Sequence, residues 1–181
     1  SNSILADTLL TFQRVVKDHN FRFPNSMRAK IRVFRKKDER KVVSLARKAF
    51  HVGQFHSDPN LLRSLSDDLY ARWALNCTKG LADKVLIVEE DDDICGFVTC
   101  ALRRLAKRAC YGNIDLLAVD PNKQGKGLGS LLLLAAMKWF SDRTSSIYAG
   151  TQATNLPAVR LYESMGFRLV ESEATFHIWT R

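Results

Sequence analysis

The stretch Leu116-Leu-Ala-Val-Asp-Pro-Asn-Lys-Gln-Gly-Lys-Gly-Leu-Gly129 decides how this chain folds. The run from Ile114 to Val119 reads as a buried strand. Asp120-Pro121 stops it, because proline cannot donate to a ladder. A loop follows with Gly125, Gly127 and Gly129 at alternate positions, and an apolar helix begins at once. Glycine reaches positive φ and lets the backbone come within hydrogen-bonding distance of a bulky anion. The free N–H groups of a first helical turn, together with the helix dipole, then favour a phosphate. Lys123 and Lys126 add positive charge. The motif G-x-x-x-x-G-K-[ST] is absent. A dinucleotide fingerprint would lie just after the first strand of a βαβ unit, whereas this loop opens late, after several antiparallel strands. A plain glycine turn ahead of a core helix is the competing explanation.

Upstream, a β-branched run over 85–88, an acidic turn over 89–93 and an apolar run over 94–102 predict a hairpin. Arg103, Arg104, Lys107 and Arg108 read as the solvated turn of the next one. A helix with Leu61, Leu65, Leu69 and Trp73 as its buried side follows a loop over 51–59. An earlier helix, preceded by Asp38, buries Val42, Leu45, Ala46 and Ala49. A short basic strand lies over 30–36. Leu5, Leu9, Phe12 and Val16 stand at helical spacing, so an amphipathic helix is predicted before Pro24. The organisation expected is a helical N-terminal extension over 1–27 and one domain over 28–181. Downstream lie a helix over 128–140, a strand over 147–150, and a helix over 156–165 capped by Gly166. Two short strands, over 167–171 and 175–179, finish the chain. Antiparallel strands followed by β-α-β predict an α/β fold with a mixed, mostly antiparallel sheet flanked by helices.

With 181 residues, 46% hydrophobic and 26% charged, the chain has enough apolar side chains for one core and is not a disordered polymer. The longest apolar run, Leu131 to Met137, is about a third of the roughly 20 residues a bilayer span needs. Asp7, Arg14 and Lys17 interrupt any secretory leader, Ser1-Asn2 reads as a processed end, and a cytoplasmic protein is expected. Cys77, Cys95, Cys100 and Cys110 form no C-x-x-C pair and have no histidine at zinc spacing, so neither a disulfide framework nor a metal site is signalled. A net charge of +9 calls for an anionic partner. The basic residues are scattered without a helical stripe, which argues against nucleic acid.

Gln124-x-x-Gly127-x-Gly129 behind its strand resembles motif A of the GNAT acetyltransferase superfamily. Asn155-Leu-Pro-Ala-Val-Arg-Leu-Tyr-Glu-Ser-Met-Gly-Phe167 resembles motif B of the same superfamily. The resemblance covers about residues 30–181 and implies a splayed sheet with acetyl-CoA as co-substrate and no metal. It implies that Gln124, Gly125, Lys126, Gly127, Leu128 and Gly129 hold the coenzyme's diphosphate. The backbone of Leu117, Ala118 and Val119 would pair with the pantetheine arm. Tyr162 takes the role of general acid at the sulfur, and Asn155, on the same helical face, hydrogen-bonds on the cofactor side. The competing explanations are a buried aromatic for Tyr162 and an ordinary helix cap for Asn155.

The general base stays open among Asp115 on the strand, His56 in the loop, and a water relay. Phe55-His56-Ser57-Asp58-Pro59, Leu69-Tyr70-Ala71-Arg72-Trp73 and the segment from Thr151 to Ser172 are similar to TDP-fucosamine acetyltransferases. That likeness implies an amino-sugar nucleotide as acceptor, with Phe55 and His56 on the substrate side. The short N-terminus departs from that family. A lysine or N-terminal protein acetyltransferase, and a non-catalytic acyl-CoA-binding module, are the alternatives. The partners expected are acetyl-CoA and a small amine, with no membrane and with a homodimer left open.

Overall fold

The strand expected ahead of the glycine loop is the middle strand of a seven-stranded sheet in the computed structural model, which describes residues 2–16, 21, 23, 28–50, 58–105 and 109–179. In chain order the elements are β1 (Asn2–Val15), β2 (Lys30–Val33), α1 (Glu39–Ala49), α2 (Arg63–Asn76), β3 (Lys84–Glu90), β4 (Asp93–Leu105) and β5 (Ala109–Val119). After these come α3 (Leu128–Ser141), β6 (Ser146–Gln152), α4 (Leu156–Ser164) and β7 (Arg168–Trp179). The sheet order is β2-β3-β4-β5-β6-β1-β7. Every neighbouring pair is antiparallel except β5 and β6, the two strands joined through α3. A helical crossover is what a parallel pair requires.

One face of the sheet is covered by α3, which is apolar nearly all round. Leu128, Leu132, Leu133, Met137 and Phe140 are almost wholly buried against Val98, Ile114, Ile147 and Phe12. Each such side chain contributes about 1.5–3 kcal/mol over its exposed state. The other face is covered by α1 and α2, where Val42, Leu45, Ala46, Tyr70 and Ala74 meet Ile87, Phe97, Leu116 and Ala118.

β5 serves both cores because it is bulged. Its register with β4 passes from Val98↔Leu117 to Cys100↔Ile114, so β5 carries one residue more across that interval. The Leu116 amide finds a substitute partner in the Thr99 hydroxyl at 2.9 Å. The extra residue turns Ile114 toward α3 and Leu116 toward α1 and α2.

Several expectations need correction. The N-terminal segment is not a helix but the strand β1, inserted between β6 and β7. Its Leu5-Leu9-Phe12-Val16 spacing mimics a helical stripe, yet ladders on both edges satisfy its backbone. Those ladders pair it with segments more than 130 residues away, which no local pattern encodes. In α2 the leucine stripe is not the buried side. Leu65, Leu69 and Trp73 are 59%, 41% and 37% exposed, while Ser66, Tyr70, Ala71 and Ala74 face the core. Small residues there let α2 lie close to α1. The two short C-terminal strands are one, β7, whose pairing with β1 runs from Trp179 to Arg168 through two register shifts. Asp38 does not cap α1 with its side chain; its carboxylate takes Arg32 at 2.6 Å and the Arg35 amide at 2.7 Å. Cys77, Cys95 and Cys100 are buried free thiols and Cys110 is exposed. Among the described residues, no helix is long and apolar enough to cross a membrane.

Candidate active site

β5 and β6 are hydrogen-bonded only over Gly112–Ile114 and Ile147–Ala149. Beyond that point they diverge. The edge of β5 that faces β6 therefore has no strand partner from Asp115 to Ala118, and unpaired backbone polar groups demand a partner. A cleft of about 410 Å³ opens in this fork. Asp115, Leu116 and Leu117 line it from β5, Gly150, Thr151 and Gln152 from β6, and Asn155, Ala158 and Tyr162 from the α4 side. Ala118 and Val119 continue β5 but are buried and do not reach the cleft lining.

The glycine loop stands at the C-terminal end of the same strand rather than in the cleft wall. Asp120 accepts the Asn122 amide and holds a short turn over Pro121–Lys123. Gln124 donates its side-chain amide to the Val119 carbonyl at 3.3 Å, tying the loop to the strand end. Gly125 has φ +76° and open space where a Cβ would stand. Gly127, the residue that caps α3, has φ +78°, a region that costs other residues about 1–2 kcal/mol. The first helical bond runs from the Leu131 amide to the Gly127 carbonyl. The amides of Leu128, Gly129 and Ser130 therefore lie ahead of the intrahelical ladder. A Cβ on Gly129 would stand 3.3 Å from Leu161, so its smallness lets α3 and α4 approach. Gln124, Gly125, Lys126 and Gly127 are exposed, and Leu128 is anchored in the core. Lys123 is engaged with Glu90 at 3.3 Å. Open left-handed glycines, amides ahead of the ladder and a neighbouring bare strand edge together fit a diphosphate with an extended amide-bearing arm.

Tyr162 is 5% exposed, with its ring 5.6 Å from both Phe12 and Phe167. Among the described residues its hydroxyl has no hydrogen-bond partner. Burial pushes its pKa up to about 12, so it keeps its proton throughout the neutral range. Asn155 both lines the cleft and caps α4, its Oδ1 accepting the Ala158 amide at 3.4 Å. The helix cap foreseen for it is present, and the residue stands in the cleft lining. Asp115 faces the cleft, held by Asn113 at 2.7 Å and by Arg103 at 3.1 Å. Phe55 and His56 lie outside the described residues.

Sequence reasoning missed the opposite wall, formed by Asp7, Leu9 and Thr11 of β1, by Phe50, by Leu69, Tyr70 and Trp73 of α2, and by Thr175 of β7. A lone acidic residue at position 7 in an otherwise apolar run was the available signal.

The profile of the acetyltransferase (GNAT) family matches residues 44–167. The fold and fork define an acetyltransferase-type domain, and the chain belongs to the GNAT family. It is similar to the spore coat polysaccharide biosynthesis protein SpsD of Bacillus subtilis, at 29% identity over 78% of this chain and 48% of SpsD. A mycothiol acetyltransferase of Acidothermus cellulolyticus is 45% identical over 32% of this chain and 18% of its own. A GNAT-family structure from Novosphingobium aromaticivorans superposes with a TM-score of 0.63 at 17% identity, covering 96% of this chain and 66% of that one. The chain thus spans about half the length of SpsD.

Proposed function

We propose that this domain is an N-acetyltransferase that moves an acetyl group from acetyl-CoA to the amine of an amino sugar, free or nucleotide-linked. The observation that carries this is the fork between β5 and β6, with a bare strand edge on one side and Tyr162 on the other. Family membership supports the cofactor, whose thioester supplies the activated acetyl group. Likeness to a protein of polysaccharide biosynthesis supports the sugar.

The loop amides over 124–129 bind the diphosphate, and the edge of Leu117, Ala118 and Val119 hydrogen-bonds the pantetheine amides. Asn155 orients the arm from the α4 side. A neutral amine attacks the carbonyl carbon; the C–N bond forms, the C–S bond breaks, and nitrogen loses a proton. Tyr162 gives its proton to the departing sulfur, a task suited to a phenol that stays protonated at neutral pH. Asp115 takes the amine proton, its carboxylate aimed by Arg103 and Asn113.

The test is an acceptor screen that follows free-thiol release from acetyl-CoA. It includes D-glucosamine, a dTDP-4-amino-4,6-dideoxyhexose, spermidine and N-terminal peptides. Turnover with an amino sugar, and a kcat that falls roughly a hundredfold in Tyr162→Phe with coenzyme affinity retained, is the expected result. Turnover with peptides alone overturns the sugar assignment. Coenzyme binding without thiol release overturns the enzyme.

A further inference from the structure

The wall of the cleft opposite Tyr162 holds a carboxylate to which the proposed chemistry gives no task. Asp7, Leu9 and Thr11 alternate along β1 and line the cleft, as a period of two dictates. Just before them the strand is bulged. The register with β7 passes from Leu5↔Phe176 to Asp7↔Thr175, leaving Ala6 as an extra residue that is 3% exposed. A regular strand would turn Leu5 onto the cleft face beside Asp7. The bulge instead sends Leu5 to the opposite face with Phe176, so Asp7 ends the cleft-facing row. Bulges beside a site commonly re-aim a side chain in this way.

The Asp7 carboxylate is oriented from within its own strand, with Oδ1 accepting the Thr8 amide at 2.7 Å. Thr175 lies directly across from it and adds a hydroxyl to the same lining. α2 contributes rings to the same cleft. Phe50 stacks on Tyr70 at 4.7 Å and 13°, and Tyr70 on Trp73 at 6.3 Å and 21°. Trp73 remains 37% exposed at the mouth. Burial first and the charge of Asp7 second raise the Tyr70 hydroxyl's pKa, so ring and carboxylate are within electrostatic reach.

Such a wall suits a ring with an apolar C–H face and a hydroxyl-bearing edge. Aromatic faces cover the first, and a carboxylate, which only accepts, selects the second. In the proposed reaction the amine proton goes to Asp115, on the β5 side of the cleft. The productive pose therefore aims hydroxyls at Asp7 and the amine at the Tyr162 end. We propose that Asp7 is the specificity-determining residue of the acceptor site, accepting hydrogen bonds from the ring hydroxyls of an amino sugar whose face lies on Tyr70 and Trp73. This rests on the acetyltransferase reading above.

The experiment uses the full chain, with Asp7→Asn and Asp7→Glu assayed on whichever of D-glucosamine and the dTDP-4-amino-4,6-dideoxyhexose turns over faster. The expected result is that Asp7→Asn raises the acceptor KM about tenfold or more. Its kcat and its acetyl-CoA KM stay within about threefold of the parent, and Asp7→Glu recovers part of the loss. An unchanged acceptor KM overturns the proposal. So does a fall in kcat alone, which would make Asp7 a proton-transfer group, or a joint loss of coenzyme affinity and thermal stability, which would make it structural. If neither amino sugar reacts while spermidine or a peptide releases thiol, the Asp7 assignment fails and acetyl transfer stands. If no amine releases thiol, both fail.

Discussion

The two walls of the cleft are built on different physical terms. The wall of β5 and α4, with the glycine loop at the end of β5, is local. Strand, turn and helix follow one another within residues 109–129, and Asn155 and Tyr162 lie on a single helix. The opposite wall is assembled from residues 7, 50, 70, 73 and 175, brought together only when β1 enters the sheet between β6 and β7. The first wall depends on backbone geometry and so restricts residue type at few positions, mainly its glycines. The second depends on side chains held by distant partners. A wall of the first kind suits a coenzyme shared by a whole family, and one of the second kind suits an acceptor particular to one member.

The sharpest break between the walls is Phe12→Ala. Phe12 is 1% exposed and carries the ring of Tyr162, so the substitution should cost about 3–5 kcal/mol in denaturant unfolding. A loss under about 1 kcal/mol would mean that β1 is an accessory to the sheet, with the acceptor wall separable from the fold. Gly127→Val attacks the local wall. Valine resists the φ of +78° found there. The loop amides should leave their positions, raising the acetyl-CoA KM roughly ten- to a hundredfold with the acceptor KM little changed. Equal effects on both substrates would show that the two walls are not independent.

A third prediction concerns alkaline pH. The Tyr162 phenol sits at about 12 in the fold, against about 10 in an unfolded chain. Because the folded value is raised, its contribution is complete below pH 10. Between about 10 and 12 the unfolded chain ionises first and gains, so stability falls by about 1.4 kcal/mol per pH unit. Urea titrations across that range should be shallower for Tyr162→Phe, with a remaining slope from Tyr70, whose phenol is also raised, by burial and then by Asp7. Identical slopes in parent and variant would mean that Tyr162 is solvated. The smallest effect belongs to Leu65→Ser. That side chain is 59% exposed, so stability should stay within about 0.5 kcal/mol of the parent. A loss of about 2–5 kcal/mol would restore the leucine stripe of α2 as its buried face.

The same contrast explains what could be read from residue order. The hairpin of β3 and β4, the glycine turn, α3 and the Asn155 cap each follow from neighbours within a few positions, and all stand where expected. In β1 the spacing of Leu5, Leu9, Phe12 and Val16 was a coincidence of two superposed rows. Leu10 and Phe12 pack under α4 while Asp7, Leu9 and Thr11 face the cleft, and two register shifts blur the alternation. In α2 Leu65, Leu69 and Trp73 are left exposed while Ser66, Tyr70, Ala71 and Ala74 face the core, which inverts the usual inference from hydrophobicity.

The amino-acid order alone determined the family, the mixed sheet and the glycine loop ahead of α3, because left-handed glycines, proline stops and helix caps are short-range requirements of the backbone. Only the tertiary structure decided that the N-terminal segment is a strand, that β5 and β6 part after Ile114 and Ala149, and that Asp7 and Tyr70 share one wall of a cleft. Those outcomes arise from pairing and packing between segments as far apart in the chain as Asn2 and Trp179. There the free energy lies in the partner, and no single stretch of chain contains it.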